Sequence, residues 1–198
     1  MIDFELGWRA VPGMFSPQDG RAFQSAVRLA KAHTSIVETG AWCGRSLAAA
    51  CEALPPNVLV YSVDLYPEGS QATNDGTAPI TPGVARNLRE LVADHYRKRI
   101  IDRIVLCHAD GADYGLEYGG PLVSTMLIDD HHSYEQINRI VDNWQKHWAR
   151  ECILLFHDYQ HPPYRIVEAC NERLPQLGFR FATQPSGSGL GIWSRGVL

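Results

Sequence analysis

The stretch from Ile36 to Ser46 constrains the fold of this chain more than any other segment. It reads Ile-Val-Glu-Thr-Gly-Ala-Trp-Cys-Gly-Arg-Ser, so residues suited to a buried strand precede two glycines that permit a sharp turn. Residues 47–50 then begin a helix. A strand, a glycine-rich turn and a helix N-terminus together form a cradle for a ligand that carries a nucleoside. The turn lacks the Gly-x-Gly-x-x-Gly spacing of a dinucleotide site.

Segments typical of strands and helices alternate along almost the whole chain. The pattern predicts strands at residues 35–39, 58–64, 103–107, 122–128 and 152–156, and a final strand pair at 178–183 and 190–194. It predicts helices at residues 16–32, 45–54, 81–96 and 163–174, and one that starts after Ser133. Ser16 and Ser133 are the predicted N-caps, and Gln136, three residues after Ser133, would complete a capping box. Repeated strand-helix units predict an α/β fold, with a mostly parallel sheet and helices on both faces.

Composition limits the classes of function. A chain of 198 residues fits a single α/β domain spanning residues 1–198. A net charge of −4 argues against nucleic acid as a partner, and the absence of a long apolar run argues against a membrane span. The acidic start lacks the basic residues of a signal peptide, and the five cysteines are scattered. We therefore expect reduced thiols and a cytoplasmic location.

Residues 66–81 interrupt the alternation of strands and helices. The segment is polar, rich in turn-forming residues, and too long for an ordinary connection between a strand and a helix. It follows strand 2, so it starts at the sheet edge where ligands bind in open α/β folds. We expect a lid or substrate loop, and the alternative is a disordered surface insertion.

Three acidic residues are candidates for binding a nucleoside. Asp64 ends strand 2, where its carboxylate can accept hydrogen bonds from ribose hydroxyls. Glu38 ends strand 1, where it can orient the glycine-rich turn. Asp110 follows strand 3, where it can cap a helix.

The run from Glu38 to Gly44 resembles motif I of class I S-adenosylmethionine (SAM) methyltransferases, whose form is roughly Glu-x-Gly-x-x-x-Gly. The likeness is greatest to the catechol O-methyltransferase branch. It implies a Rossmann-like seven-stranded sheet with a C-terminal antiparallel strand, and it implies that Asp110 contacts the adenine and Ser46 the amino-acid end of SAM. The cofactor residues that it implies are Glu38, Gly40, Ala41, Ser46, Asp64, Leu65, Ala109, Asp110, Gly111 and Asp129.

The predicted strands 4 and 5 are each followed by carboxylate and imidazole side chains, at the edge of the sheet where parallel strands end. Asp129 and His132 follow strand 4, and His157 and Asp158 follow strand 5. Carboxylate oxygens suit Mg²⁺, whereas a histidine-rich set suits zinc or iron better. The runs at residues 128–135 and 156–159 resemble the corresponding segments of metal-dependent O-methyltransferases. This resemblance implies that Asp129 and Asp158 bind Mg²⁺ (or Mn²⁺). His157 is a candidate third ligand or a partner of the ligands.

His132 lies three residues after Asp129, where catechol-type enzymes carry a lysine base. Histidine at this place resembles the macrocin-type sugar O-methyltransferases and implies a sugar-like hydroxyl as acceptor. The chemistry is consistent, because a divalent cation lowers the pKa of a hydroxyl and a neutral histidine can take its proton. We expect His132 and Asp129 to be the catalytic pair, acting on a small, polyhydroxylated acceptor.

Two other functions stay open on the sequence. One is a metal-dependent hydrolase or hydroxylase-like enzyme that uses the histidine and aspartate cluster without methyl transfer. The other is a SAM-binding protein without turnover. The sequence does not fix the oligomeric state, and a homodimer is one way to cover the site.

Overall fold

The computed structural model of the protein describes residues 4–11, 13–42, 44–65, 101–183 and 189–197. The described strands form one sheet, and they are β1 Ser35–Thr39, β2 Leu59–Asp64, β3 Ile104–His108, β4 Val123–Ile128, β5 Trp148–Phe156, β6 Arg180–Thr183 and β7 Gly191–Arg195. The predicted lid at residues 66–81 and the predicted helix at 81–96 lie outside the described residues.

The sheet has seven strands in the order β3-β2-β1-β4-β5-β7-β6. Neighbouring strands from β1 to β5 pair in parallel, whereas β7 pairs antiparallel with both β5 and β6. The order reverses at β1, which lies between β2 and β4. Ligands in such sheets bind beyond the carboxyl ends of the strands at this reversal. The predicted Rossmann-like sheet with an antiparallel C-terminal strand is confirmed.

Helices connect the strands. The described α-helices are α1 Pro17–Arg28, α2 Arg45–Ala53, α3 Gly111–Glu117, α4 Tyr134–Trp144 and α5 Ile166–Arg173. Short 3-10 segments are Phe4–Ala10, Ile101–Arg103, Gln145–His147, Pro162–Tyr164 and Pro175–Leu177. Helix α1 is shorter than the predicted range of 16–32, and the predicted helix at 163–174 is a proline-led 3-10 turn followed by α5.

Serine caps begin α1 and α4, as the sequence predicts. The Asp19 amide donates to Ser16 Oγ, and the Gln136 amide donates to Ser133 Oγ. The second half of the expected capping box at α4 differs from the prediction. The side chain of Gln136 donates to Asp130 Oδ2 at 3.2 Å, which draws it toward the end of β4.

Apolar side chains cover both faces of the sheet. On one face Ile36 and Leu127 pack with α1 and α2. On the other face Val37 and Met126 pack with the fully buried apolar stripe of α4, whose members are Ile137, Ile140, Val141 and Trp144. Because successive strand residues point to opposite faces, the central strands are buried on both sides, as a parallel sheet requires.

Four of the five cysteines lie within the described residues, and all four are buried free thiols: Cys51, Cys107, Cys152 and Cys170. This agrees with the prediction of reduced thiols for those four. A search of the described residues finds no helix that is both long and apolar enough to span a membrane.

Candidate functional site

The strand ends surround one cavity of about 460 Å³, a volume in the range of small-molecule sites. The predicted residues that line it are Gly40, Ala41, Ser46, Asp64, Leu65, Ala109, Asp110, Gly111, Asp129, His132, His157 and Asp158. The cavity therefore brings together every predicted site residue except Glu38, which lies beneath its floor and is almost fully buried.

The turn after β1 depends on the absence of a side chain at Gly40. This residue has φ of +83°, and a Cβ atom there would lie 2.1 Å from the carbonyl oxygen of Asp129. Its amide donates to the carbonyl of Val63 at 2.9 Å. Gly44 also has a positive φ, and its amide donates to the carbonyl of Ala41 at 2.6 Å just before α2. Glycine thus lets the chain pass tightly between the ends of β2 and β4.

Asp64 has a role that the sequence reasoning missed. Its Oδ2 accepts hydrogen bonds from the backbone amides of Ala41 at 2.6 Å and Trp42 at 2.9 Å. The carboxylate at the end of β2 therefore fixes the turn that follows β1. Its predicted contact with ribose hydroxyls would come in addition to these bonds and stays a prediction.

Glu38 lies inside the sheet, under the turn. Its Oε1 accepts a hydrogen bond from Ser62 Oγ at 2.6 Å, and the Ser46 hydroxyl faces the same carboxyl group. Burial raises the pKa of Glu38 to about 7, although the two serine hydroxyls oppose that rise. The carboxyl group thus links the start of α2 to β2.

Asp110 caps α3. Its Oδ1 accepts from the amides of Ala112 and Asp113, both at 3.0 Å, so the helix-capping alternative is confirmed. Arg139 on α4 lies 3.5 Å from the same oxygen. The residue also lines the cavity, and its predicted contact with adenine stays a prediction.

Asp129, His132 and His157 form a compact cluster at the ends of β4 and β5. His157 Nδ1 lies 2.9 Å from Asp129 Oδ1, and His132 Nε2 lies 3.2 Å from the same oxygen. Each of the three residues offers a ligand atom within 4.8 Å of the other two, as a metal ion requires. His132 Nε2 is buried and makes no hydrogen bond of good geometry, so this nitrogen is a further atom in the cluster that could ligate a metal ion.

Asp129 and His157 shift each other's pKa in opposite directions. Burial by itself would raise the pKa of Asp129, but the charge on His157 and the contacts with both histidines hold that pKa below its ordinary value. Burial would lower the pKa of His157, yet the Asp129 carboxylate raises it to about 9. At neutral pH the two residues are therefore an ion pair, and His157 would have to lose its proton to act as a metal ligand.

Asp158 lies at the margin of this cluster. Its carboxylate oxygens are 3.7 Å from His157 Nδ1 and 3.9 Å from His132 Nδ1, and its side chain is the most exposed of the four. The backbone of Asp158 is left-handed, with φ of 49°, which aspartate tolerates better than most residues. The predicted metal ligands Asp129, His157 and Asp158 thus lie near one another, and the predicted base His132 lies beside them.

Asp130 is a lining residue that the sequence reasoning did not use. It accepts from the Gln136 side chain, its Oδ1 is buried without a partner, and it packs against Gly111. Burial raises its pKa to about 6. The signal was available in the sequence, because two aspartates follow β4 in succession and only the first was assigned a role.

The residues before α1 form a wall of the cavity that no sequence pattern indicated. Gly13, Met14 and Phe15 line it, and the Phe15 ring lies 5.6 Å from the His157 ring. Arg45 Nη1 donates to the Gly13 carbonyl at 2.6 Å, which ties this wall to the start of α2. The wall depends on contacts between residues far apart in sequence.

Comparison with known proteins places the fold and the family. Residues 37–159, more than half of the chain, match a family model described as a methyltransferase domain. No curated protein matches the sequence.

Several solved structures share the fold at low sequence identity. CalS11, a calicheamicin methyltransferase also described as a TDP-rhamnose 3'-O-methyltransferase, has a TM-score of 0.68 at 16% identity, covering 92% of this chain and 81% of its own. Cofactor-bound Rv0187 from MTB has a TM-score of 0.66 at 14% identity, with 93% and 83% covered. A methyltransferase from Geobacter sulfurreducens has a TM-score of 0.61 at 16% identity, with 91% and 79% covered.

Proposed function

The chain belongs to the methyltransferase-domain family, as the resemblance of its glycine-rich turn predicted, and we propose that it transfers a methyl group from SAM to a hydroxyl of a small polyhydroxylated acceptor. The observation that carries the proposal is the position of the Asp129, His132 and His157 cluster. It opens into the same cavity as the turn after β1, so a cofactor and an acceptor can meet there. Holding two reactants in one orientation supplies much of the rate gain in such a transfer.

The turn side of the cavity is the proposed cofactor site. Asp64 accepts from the ribose hydroxyls, Ser46 contacts the amino-acid end, and Leu65 and the residues 109–111 lie against the adenine. The support is that all of these residues line the cavity and that the turn amides are already held in place by Asp64. SAM, when bound, supplies an electrophilic methyl group.

The cluster side is the proposed site of a divalent cation, Mg²⁺ or Mn²⁺. Asp129, His157 and Asp158 would hold it, with two carboxylates and one imidazole as donors. The two carboxylates suit Mg²⁺ and Mn²⁺ alike. A divalent cation, when bound, lowers the pKa of a hydroxyl that coordinates it.

His132 is the proposed proton acceptor. Its Nε2 faces Asp129, so a proton on Nε2 leaves Nδ1 as the basic nitrogen. The negative charge of Asp129, 3.2 Å from Nε2, favours a proton on that nitrogen and stabilises the imidazolium that forms when Nδ1 takes the hydroxyl proton. His132 lines the cavity, which gives an acceptor access to it.

A sugar or glycoside is the proposed acceptor. The support is histidine in place of lysine at the base position, together with the fold shared with CalS11, which is described as acting on TDP-rhamnose. The net charge of −4 favours a small-molecule acceptor over a nucleic acid.

We further propose a single domain over residues 1–198, a lid at residues 66–81 and a cytoplasmic location.

One observation favours a second candidate function. Two histidines and one carboxylate within reach of one metal ion are also the donor set of non-haem iron oxygenases. A hydroxylase-like reaction at the same cluster would then need Fe²⁺, dioxygen and a two-electron co-substrate that reduces the second oxygen atom, and it would not consume SAM.

A turnover assay separates the two candidates. The protein is incubated with SAM, Mn²⁺ or Mg²⁺ and a panel of nucleotide sugars and glycosides, and S-adenosylhomocysteine and methylated product are measured by mass spectrometry. Formation of both products, lost in Asp129→Asn, supports methyl transfer. Absence of SAM binding in calorimetry, with oxygen uptake in the presence of Fe²⁺ and a reducing co-substrate such as a 2-oxo acid, would contradict it.

A further inference from the structure

We propose that Tyr164 is a positioning residue that holds the ring of His132 in its working orientation; this inference rests on the proposed function. The two rings are stacked, with centroids 5.1 Å apart and planes inclined by only 20°. Tyr164 lies outside the two blocks of sequence that carry the metal and base candidates, and it is not among the residues that line the cavity.

The stack continues beyond Tyr164. The ring of His161 lies 4.4 Å from that of Tyr164 with planes inclined by 26°, so Tyr164 contacts a second imidazole as well. His161 is exposed, whereas His132 is half-buried at the cavity. The three rings thus run from the protein surface to the proposed base.

The backbone around Tyr164 is firmly held. Two prolines lead the 3-10 turn Pro162–Tyr164 and fix its φ angles, and the Tyr164 amide donates to the His161 carbonyl at 3.0 Å. The His161 amide in turn donates to the Asp158 carbonyl at 2.9 Å. The Tyr164 ring is therefore tied to the same loop that carries the proposed metal ligands.

The segment after Tyr164 is braced independently. Arg165 adopts a left-handed backbone, and its guanidinium pairs with Glu168 and lies 4.7 Å from the centre of the Tyr134 ring. Ile166 then enters the core as the first residue of α5. Tyr164 is thus held between two anchored segments, so its ring is a fixed surface.

A fixed aromatic surface matters to a histidine because its χ2 rotation is intrinsically loose. The terminal torsion of histidine is broad and roughly two-fold, so the ring can exchange which edge faces Asp129. A stacked neighbour holds the imidazole plane, since partial rotation about χ2 turns that plane out of contact with the tyrosine ring. A half-turn returns the same plane, so the contact of Nε2 with Asp129 selects the edge, while the stack opposes rotation away from that orientation.

The kinetic test compares Tyr164→Leu with Tyr164→Phe. Tyr164→Leu removes the ring, so kcat should fall roughly two- to tenfold while the KM for the acceptor stays unchanged. Tyr164→Phe keeps the ring and should restore the wild-type kcat. Phe181→Leu is the matched control, because Phe181 is a half-exposed ring stacked on Tyr159 at 5.7 Å and makes no ring contact with His132.

A second readout does not depend on an acceptor. The ¹³C and ¹⁵N line widths of the His132 ring report its rotation, and Tyr164→Leu should broaden them while Phe181→Leu leaves them unchanged. Unchanged His132 line widths and an unchanged kcat in a folded Tyr164→Leu would overturn the inference, as would a raised acceptor KM at constant kcat. If the wild-type protein methylates no hydroxyl, the proposed function fails instead, whatever the His132 signals show.

Discussion

The two halves of the cavity, the turn after β1 and the cluster of Asp129, His132 and His157, are formed by different groups. On the turn side, backbone amides and glycines set the shape, and Asp64 receives two amide hydrogen bonds at the turn. On the cluster side, the side chains of His132 and His157 each contact the same carboxylate oxygen of Asp129. A turn shaped by glycines and backbone amides accepts few other residues at those positions, but its shape does not depend on the protonation of a histidine. A cluster of charged side chains changes whenever one of its members changes charge. The two halves should therefore respond separately to perturbation.

Removal of the cation should have the largest effect and should act on the cluster side alone. Chelator-treated protein is expected to lose all detectable turnover, because Asp129 and His157 would be left as an ion pair with no cation. Mg²⁺ or Mn²⁺ should restore the activity. The Kd for SAM, measured by calorimetry, should change by less than about threefold, which is about 0.7 kcal/mol. Full turnover in metal-free protein would eliminate the proposed cation site.

His132→Ala should come next and should lower kcat by roughly 10²–10⁴, the usual range for loss of general acid-base help. The affinities for SAM and Mn²⁺ should be unchanged, because the base touches the acceptor. His131→Ala is the comparison, because His131 is exposed and lines the same cavity, and its loss should lower kcat much less. A large loss of Mn²⁺ affinity in His132→Ala, seen by calorimetry, would instead make His132 a metal ligand through its buried Nε2.

Glu38 offers a test of the buried layer under the turn. Burial raises its pKa to about 7, with Asp129 and Asp64 adding to the rise, so the unfolded chain ionises first as the pH increases. The stabilising contribution of this group is complete below the unfolded pKa of 4.5 and disappears as the pH passes about 7. Relative to Glu38→Gln, the wild-type free energy of unfolding should drop by about 3 kcal/mol over that window.

Urea unfolding of both proteins across this pH range measures the Glu38 contribution, and taking their difference cancels groups common to the two. Parallel pH profiles for the wild type and Glu38→Gln would show that the carboxyl group ionises normally despite its burial.

Asp64→Ala should have the smallest effect and should act on the turn side alone. Loss of the ribose contacts is expected to weaken SAM binding by about 1.5–3 kcal/mol, the range for hydrogen bonds to a charged group. Asp64→Asn keeps one acceptor oxygen for the turn amides and should lie between the wild type and the alanine variant. Calorimetry checks both, with Mn²⁺ affinity as the internal control. Unchanged SAM affinity in a folded Asp64→Ala would remove Asp64 from the cofactor site.

Much of the fold was predictable because its signals are local. The exact bounds of β1 at Ser35–Thr39, the start of α2 at Arg45 and the serine caps at Ser16 and Ser133 follow from short patterns of apolar, glycine and hydroxyl residues. Parallel strands all end at one edge, so the sequence also predicted that residues after β1 to β5 would share a cavity. Helix ends were less certain, as the early end of α1 shows.

The sequence by itself determined the element order, the tight turn at Gly40 and the identity of the residues at the rim, because these depend on neighbours within a few positions. Only the tertiary structure decided that Asp64 holds the turn amides, that Gln136 reaches Asp130 rather than its own cap, and that Tyr164 lies against His132. Each of these contacts joins separate elements or redirects a side chain away from its local partner. Their geometry comes from how strands and helices pack against one another, which no local pattern of residues encodes.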